Sequence, residues 1–314
     1  MSAEPGDRVT IFGTGALACF IGARLARAGA RVTLVGTWPE ALAAIAHHGI
    51  RVEDEAGAWS ASVATARPGD EVEPCPLVLV LVKSHQTRTI ARDVARAVTA
   101  GGIVVTLQNG LGNREILERE VGPDRVAVGV VTAGARILAP GRVSGQPGAV
   151  TLGAGPVASP RLARLATLLL RAGFETELGD DVKRLVWRKL AVNCAINPLS
   201  VVRGTTNGAL LEREEDRQLL AGAAREVALV AHARGVELGV DPAALVFEVD
   251  RRTSGNRSSM LQDVERGAPT EIDALNGALV REGARLGVPT PINEWLLREV
   301  ARHVTAPRAA LLAP

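Results

Sequence analysis

The stretch Arg8-Val9-Thr10-Ile11-Phe12-Gly13-Thr14-Gly15-Ala16-Leu17-Ala18 decides how the first half of the chain folds. Arg8 to Phe12 reads as a short strand. A helical pattern then runs to Ala28, Gly29 supplies a stop, and Arg31 to Val35 reads as the next strand. The result is a strand–helix–strand unit with a G-x-G-x-x-A turn between its first two elements. In such a turn the first glycine permits the tight bend and the second lets the backbone approach a pyrophosphate. The last position takes a small residue so that helix and strand can pack. The helix start offers free N–H groups to phosphate oxygens. Gly13, Thr14, Gly15, Ala16, Leu17 and Ala18 are therefore the candidate contacts to a dinucleotide.

The end of the second strand should choose between the two nicotinamide dinucleotides. A carboxylate there would hold the ribose hydroxyls, and an arginine would favour a 2′-phosphate. The residues are Val35-Gly36-Thr37-Trp38-Pro39, with no acid before Glu40 and no arginine. Lack of a carboxylate favours NADP(H), with Thr37 as a candidate donor and Arg51 as a second. NAD(H) stays open.

Two later apolar runs read as buried strands. Leu77 to Val82 ends in Lys83-Ser84-His85-Gln86, and Ile103 to Leu107 ends in Gln108-Asn109-Gly110. Ligands of open α/β sheets sit beyond the carboxyl ends of the strands. Lys83 and Asn109 are thus candidates for the junction of nicotinamide and substrate. A solvated loop charge competes as the reading of Lys83, and a turn residue as that of Asn109. His85 reads as a loop residue, and His47 and His48 as an exposed helix end. Val126 to Val131 and Ala149 to Leu152 read as further strands, with Gly141 to Gly148 a turn between them. Pro160 to Gly173 reads as a helix. The domain boundary is expected near Gly179, giving domains 1–179 and 180–314.

From Asp180 onward strand signals vanish and a helical half is expected. Its most informative segment is Trp187-Arg188-Lys189-Leu190-Ala191-Val192-Asn193-Cys194-Ala195-Ile196-Asn197-Pro198. Lys189, Asn193 and Asn197 stand at i, i+4 and i+8, which on a helix aligns them on one face over about 12 Å. Asparagine is a poor helix former. Two amides and an amine among Leu190, Val192 and Ile196 suggest a polar stripe facing a ligand, and an ordinary solvent face is the competing reading. Pro198 is expected to stop the helix. Asn207 stands at the foot of a helix starting near Gly208, where an N-cap role competes. Asp241-Pro242 reads as a helix start, and Ser258-Ser259-Met260-Leu261-Gln262-Asp263 as helical. Thr270-Glu271-Ile272-Asp273 opens the helix that carries Leu275, Leu279 and Leu286. Thr270 with Asp273 looks like a capping box, which would give Glu271 a structural role in the first turn.

The 314 residues suit two domains, and 47% hydrophobic with 22% charged residues is ordinary for a globular protein. A net charge of +2 without a basic run gives no reason to expect nucleic acid. No apolar run is long enough to span a membrane. Met1 to Arg8 is polar and does not read as a signal peptide. Cys19, Cys75 and Cys194 show no metal-like or CxxC spacing, which argues against metal and disulfides and for a reducing, cytoplasmic setting.

With these residues in view the chain resembles the ketopantoate reductase (2-dehydropantoate 2-reductase) family. The resemblance covers nearly the whole length. It rests on the glycine fingerprint, Lys83, Gln108-Asn109-Gly110, Trp187 to Asn193, Ile196-Asn197-Pro198-Leu199, Asn207-Gly208, Ser258 to Asp263 and Thr270 to Asp273. It implies an α/β fold: an N-terminal Rossmann-type doubly wound sheet followed by an all-helical domain like the C-terminal part of 6-phosphogluconate dehydrogenase. It further implies NADPH-dependent reduction of ketopantoate to pantoate, in pantothenate and coenzyme A biosynthesis. By resemblance Lys189 is the general acid and Glu271 the carboxylate of the site. Asn109, Asn193, Asn197, Asn207 and Ser259 hold the small 2-keto acid, and Lys83 and Asn109 lie at the cofactor junction. A monomer or homodimer is expected. Family members that use NADPH often carry an arginine near the end of the second strand, where this chain has Gly36-Thr37-Trp38. The rivals are a related β-hydroxyacid dehydrogenase, a reductase of another 2-keto acid, and a non-catalytic NADP-binding regulator.

Overall fold

The computed structural model describes residues 7–153 and 160–305. Most of the reading of Met1 to Arg8 lies outside this range. The chain divides into two compact units. One holds the described residues up to Gln108 together with Asn113–Val182, and the other holds Asn109–Gly112 and the described residues from Lys183.

Among the described residues the first unit is built on twelve strands. They are β1 (Arg8–Phe12), β2 (Arg31–Val35), β3 (Ile50–Asp54), β4 (Gly57–Ala61), β5 (Ala64–Ala66), β6 (Cys75–Val80), β7 (Val98–Thr106), β8 (Val126–Val131), β9 (Gly134–Ala139), β10 (Arg142–Gln146), β11 (Ala149–Gly153) and β12 (Glu175–Leu178). Five helices accompany them: α1 (Ala16–Arg27), α2 (Pro39–His48), α3 (Thr87–Ala97), α4 (Asn113–Val121) and α5 (Pro160–Arg171). The main sheet runs β12-β11-β8-β7-β6-β1-β2-β5. Its pairings from β5 through β8 are parallel, and only β11 against β8 is antiparallel. With the β3–β4 insertion set aside, the order 5-2-1-6-7-8 is that of the doubly wound dinucleotide fold.

Neighbouring strand residues feed opposite faces. Ile11, Leu77 and Leu79 join α1 and α5 in one core, while Phe12, Val78 and Val80 join α3 and α4 in another. Both faces being apolar is why these strands read as unbroken hydrophobic runs. A second sheet, β4-β3-β10-β9, adds Val52 and Val143 to the core on the α1 side. This sheet corrects the expectation for Gly141 to Gly148, because residues 142–146 form β10. The turn chemistry is confined to Pro140-Gly141 and Pro147-Gly148 on its flanks.

Among the described residues the second unit is helical: α6 (Val182–Arg203), α7 (Glu214–Ala233), α8 (Pro242–Arg252), α9 (Ser259–Arg266), α10 (Ala278–Leu286) and α11 (Pro291–Thr305). Its core gathers Trp187, Leu190, Cys194, Leu220, Val227, Leu279 and Leu296. Asp241 caps α8 by accepting the Ala244 N–H at 2.6 Å. Two local expectations are overturned. Pro198 does not stop its helix, since α6 continues to Arg203. Thr270 opens no capping box: a π-helical turn, Asp273–Gly277, precedes α10, and the Asp273 carboxylate is taken by Arg281 at 2.7 Å. No helix among the described residues is long and apolar enough to cross a membrane.

Candidate active site

Pro198 explains much of how the site is held. A proline inside a helix removes the N–H that would bond the carbonyl four residues back. That carbonyl belongs to Cys194, and the Asn276 side-chain amide donates to it at 2.9 Å. Asn276 is fully buried and also donates to Asn293 Oδ1. Asn293 in turn donates to Glu226, which also accepts the Ile292 and Asn293 backbone N–H groups at the start of α11. The π turn that carries Asn276 is therefore bonded to the middle of α6, with Lys189, Asn193 and Asn197 on the same helix.

Glu271 lies just before that turn and is 8% exposed. Its carboxylate accepts from Asn109 Nδ2 at 3.3 Å. Asn109 is brought there by its own neighbours, because Leu111 N–H donates to Ala274 O at 3.0 Å. Gly110 has φ +83°, and a Cβ on it would lie 2.3 Å from Ala274 O, so no side chain fits. Loss of hydration on burial pulls the Lys189 ammonium from 10.5 down to about 8, and the Glu271 charge opposes that fall. A group with this pKa remains an ammonium at neutral pH but gives up its proton far more readily than a free lysine.

Asn193 is half-buried and Asn197 is 8% exposed. Among the described residues neither side chain makes a hydrogen bond, nor does that of Ser259. Ser258 is the N-cap of α9: its hydroxyl accepts from Leu261 N–H and meets the Ser200 hydroxyl at 2.6 Å. Ser259, one residue on, is exposed. Asn207 is not a side-chain N-cap. Its amide donates to Thr253 Oγ1 at 2.8 Å, and its buried Oδ1 has no partner among the described residues. Unmet hydrogen-bonding capacity on buried amides is costly unless a ligand or water meets it.

In the first unit, Gly13 turns at φ +140°, and a Cβ there would strike the Leu81 carbonyl at 2.9 Å. Gly15 caps α1 without a side-chain bond and has open space where a Cβ would project. The bare turn and helix N-terminus fit a pyrophosphate. Thr37 is exposed, and its hydroxyl accepts from Gln86 Nε2 at 3.2 Å. Arg51 lies in β3, beyond the ten residues of α2 that start after Thr37, about 15 Å of helix. Lys83 follows β6 and leads into a short turn through Gln86 N–H to Lys83 O, 2.8 Å. Sequence reasoning missed what fixes this segment. Gln108 Nε2 donates to Val82 O and to Thr87 Oγ1, both at 2.8 Å. Thr87 and Ser84 are each joined to Asn113. Nothing local in the sequence marks these partners.

The family model described as "Ketopantoate reductase PanE/ApbA" matches residues 9–156, and "Ketopantoate reductase PanE/ApbA C terminal" matches residues 181–303. The chain belongs to the ketopantoate reductase family. A curated 2-dehydropantoate 2-reductase of Halobacterium salinarum is 35% identical over 91% of this chain and 95% of its own. A PanE/ApbA family ketopantoate reductase from Ralstonia eutropha superposes with TM-score 0.87 at 32% identity, covering 95% of this chain and 98% of that one. A D-mandelate dehydrogenase solved with NADH gives TM-score 0.85 at 26% identity, with the same coverage of both chains. Both units of this ketopantoate reductase family member are thus accounted for by family models.

Proposed function

We propose that this protein catalyses the NADPH-dependent reduction of 2-dehydropantoate to pantoate, a step of pantothenate biosynthesis. The observation that carries the reading is Lys189: an ammonium with a pKa of about 8, opposed to Glu271, on the helix that presents two unbonded asparagine amides. The family of 2-dehydropantoate 2-reductases supports the substrate, and the NADH-bound relative supports a nicotinamide dinucleotide. The absence of a carboxylate at the end of β2 supports the phosphorylated form.

The bare turn of Gly13 to Ala18 would hold the pyrophosphate, with Thr37 and Lys83 as further contacts. When bound, the reduced nicotinamide supplies a hydride to the ketone carbon. Lys189 donates its proton to the ketone oxygen as negative charge develops there, and is left as the amine. Glu271 keeps the lysine protonated beforehand and holds Asn109. Asn193, Asn197, Asn207 and Ser259 orient the carboxylate and hydroxyl of the acid without quenching the lysine charge.

The test is loss of reduced-nicotinamide absorbance with purified protein and ketopantoate, using NADPH and NADH in parallel. Rapid oxidation of NADPH supports the proposal. No oxidation of either cofactor with ketopantoate, but turnover of another 2-keto acid, overturns the substrate and keeps the chemistry. Binding without turnover of any keto acid overturns the catalytic reading.

A further inference from the structure

Gly36 occupies the position, at the carboxyl end of β2, where an NAD-selective enzyme carries its ribose-binding acid. The usual reason for glycine does not apply, because its φ is not in the left-handed region. The reason is Thr14. A Cβ on Gly36 would lie 2.3 Å from Thr14 Cγ2, 2.5 Å from its Oγ1 and 2.9 Å from its Cβ. Thr14 is 7% exposed and branched at Cβ, so it has little freedom to turn aside. Neither backbone can retreat. Gly13 N–H donates to Val35 O at 2.8 Å, and Gly36 N–H donates to Ala66 O at 3.1 Å. The threonine inside the glycine turn and the glycine after β2 are therefore one steric unit, although they stand 22 positions apart in the sequence.

We infer that Thr14 is a cofactor-specificity residue: by filling the space beside Gly36 it forbids a carboxylate at the ribose position and leaves the 2′-phosphate unopposed. The next residue, Thr37, is exposed, and its hydroxyl accepts from Gln86. Its own proton is therefore available to a phosphate oxygen. The inference rests on the dinucleotide reading above, but its test does not need turnover.

The experiment measures binding of NADPH and of NADH by nicotinamide fluorescence on the wild type and on Gly36→Asp, Thr14→Gly and the T14G/G36D double variant. The expected result is that Gly36→Asp alone weakens both nucleotides. The double variant should move the ratio of dissociation constants towards NADH by about tenfold or more, roughly 1.4 kcal/mol. An unchanged ratio in the double variant overturns the inference, as does Gly36→Asp alone matching the double variant. Should the aspartate variants not fold, Gly36→Ala replaces them. It is expected to lower Tm with Thr14 present and to have little effect in the T14G background; equal losses in both backgrounds overturn the steric coupling. Failure of the wild type to bind either nucleotide overturns the dinucleotide reading itself. Binding of both without ketopantoate turnover removes only the substrate assignment.

Discussion

Lys189 and Glu271 form the residue-scale core of the proposal, and their coupling has a testable sign. The Glu271 charge raises the lysine pKa against desolvation. Glu271→Gln is expected to shift the alkaline limb of kcat to lower pH, because the ammonium then loses its proton earlier. A pH–rate profile of wild type and variant checks this, and a limb that stays in place would remove Glu271 from the acid's environment. Lys189→Ala is expected to lower kcat by about 10²-fold or more while NADPH binding persists, the usual size of a lost acid. Near-normal turnover would sink the assignment. Asp250 poses a separate question. It is fully buried in α8, neither carboxylate oxygen has a partner among the described residues, and burial raises it from 3.8 to about 7. The folded state thus holds a proton that the unfolded chain has lost, so stability falls as pH rises from about 4 through about 7. Asp250→Asn should raise Tm at pH 8, with the gain shrinking as pH falls below about 7 and vanishing near pH 4 in scanning calorimetry.

At the scale of elements, the decisive device is a helix carried through a proline. α6 survives Pro198 because Asn276, from the π turn, bonds the stranded Cys194 carbonyl. Asn276→Leu keeps the branched outline of the side chain and removes the donor. It is expected to destabilise the protein by about 1–3 kcal/mol, the cost of a buried unsatisfied carbonyl. Denaturant unfolding checks it, and an unchanged midpoint would mean the bond contributes nothing. The sequence made part of this visible: a proline in a helical pattern announces an unpaired carbonyl. It could not say that residue 276 supplies the missing donor, and so it suggested a stop. The capping box at Thr270 failed for a similar reason, since Asp273 found Arg281 instead of the local backbone.

At the scale of the whole molecule, the apolar cores of the two units are separate, and the glycine turn belongs to the first. NADPH at about 100 times its dissociation constant is expected to stabilise the fold by about 2.7 kcal/mol through mass action. Thermal unfolding with and without the nucleotide measures this, and an unmoved transition would count against a site in the native state. By itself the sequence determined the features written in near neighbours. These are the bare glycine turn between strand and helix, the two-sided apolar strands, and the i, i+4, i+8 spacing of Lys189, Asn193 and Asn197 along α6. Backbone geometry and side-chain period act over a few residues, so a local pattern is enough to specify them. Only the tertiary structure decided which distant groups meet: Thr14 against Gly36, Asn109 against Glu271, Asn276 against Cys194, and β10 between β3 and β9. Those contacts depend on how packed elements bring remote residues within a few ångströms, and no short-range pattern encodes the partner.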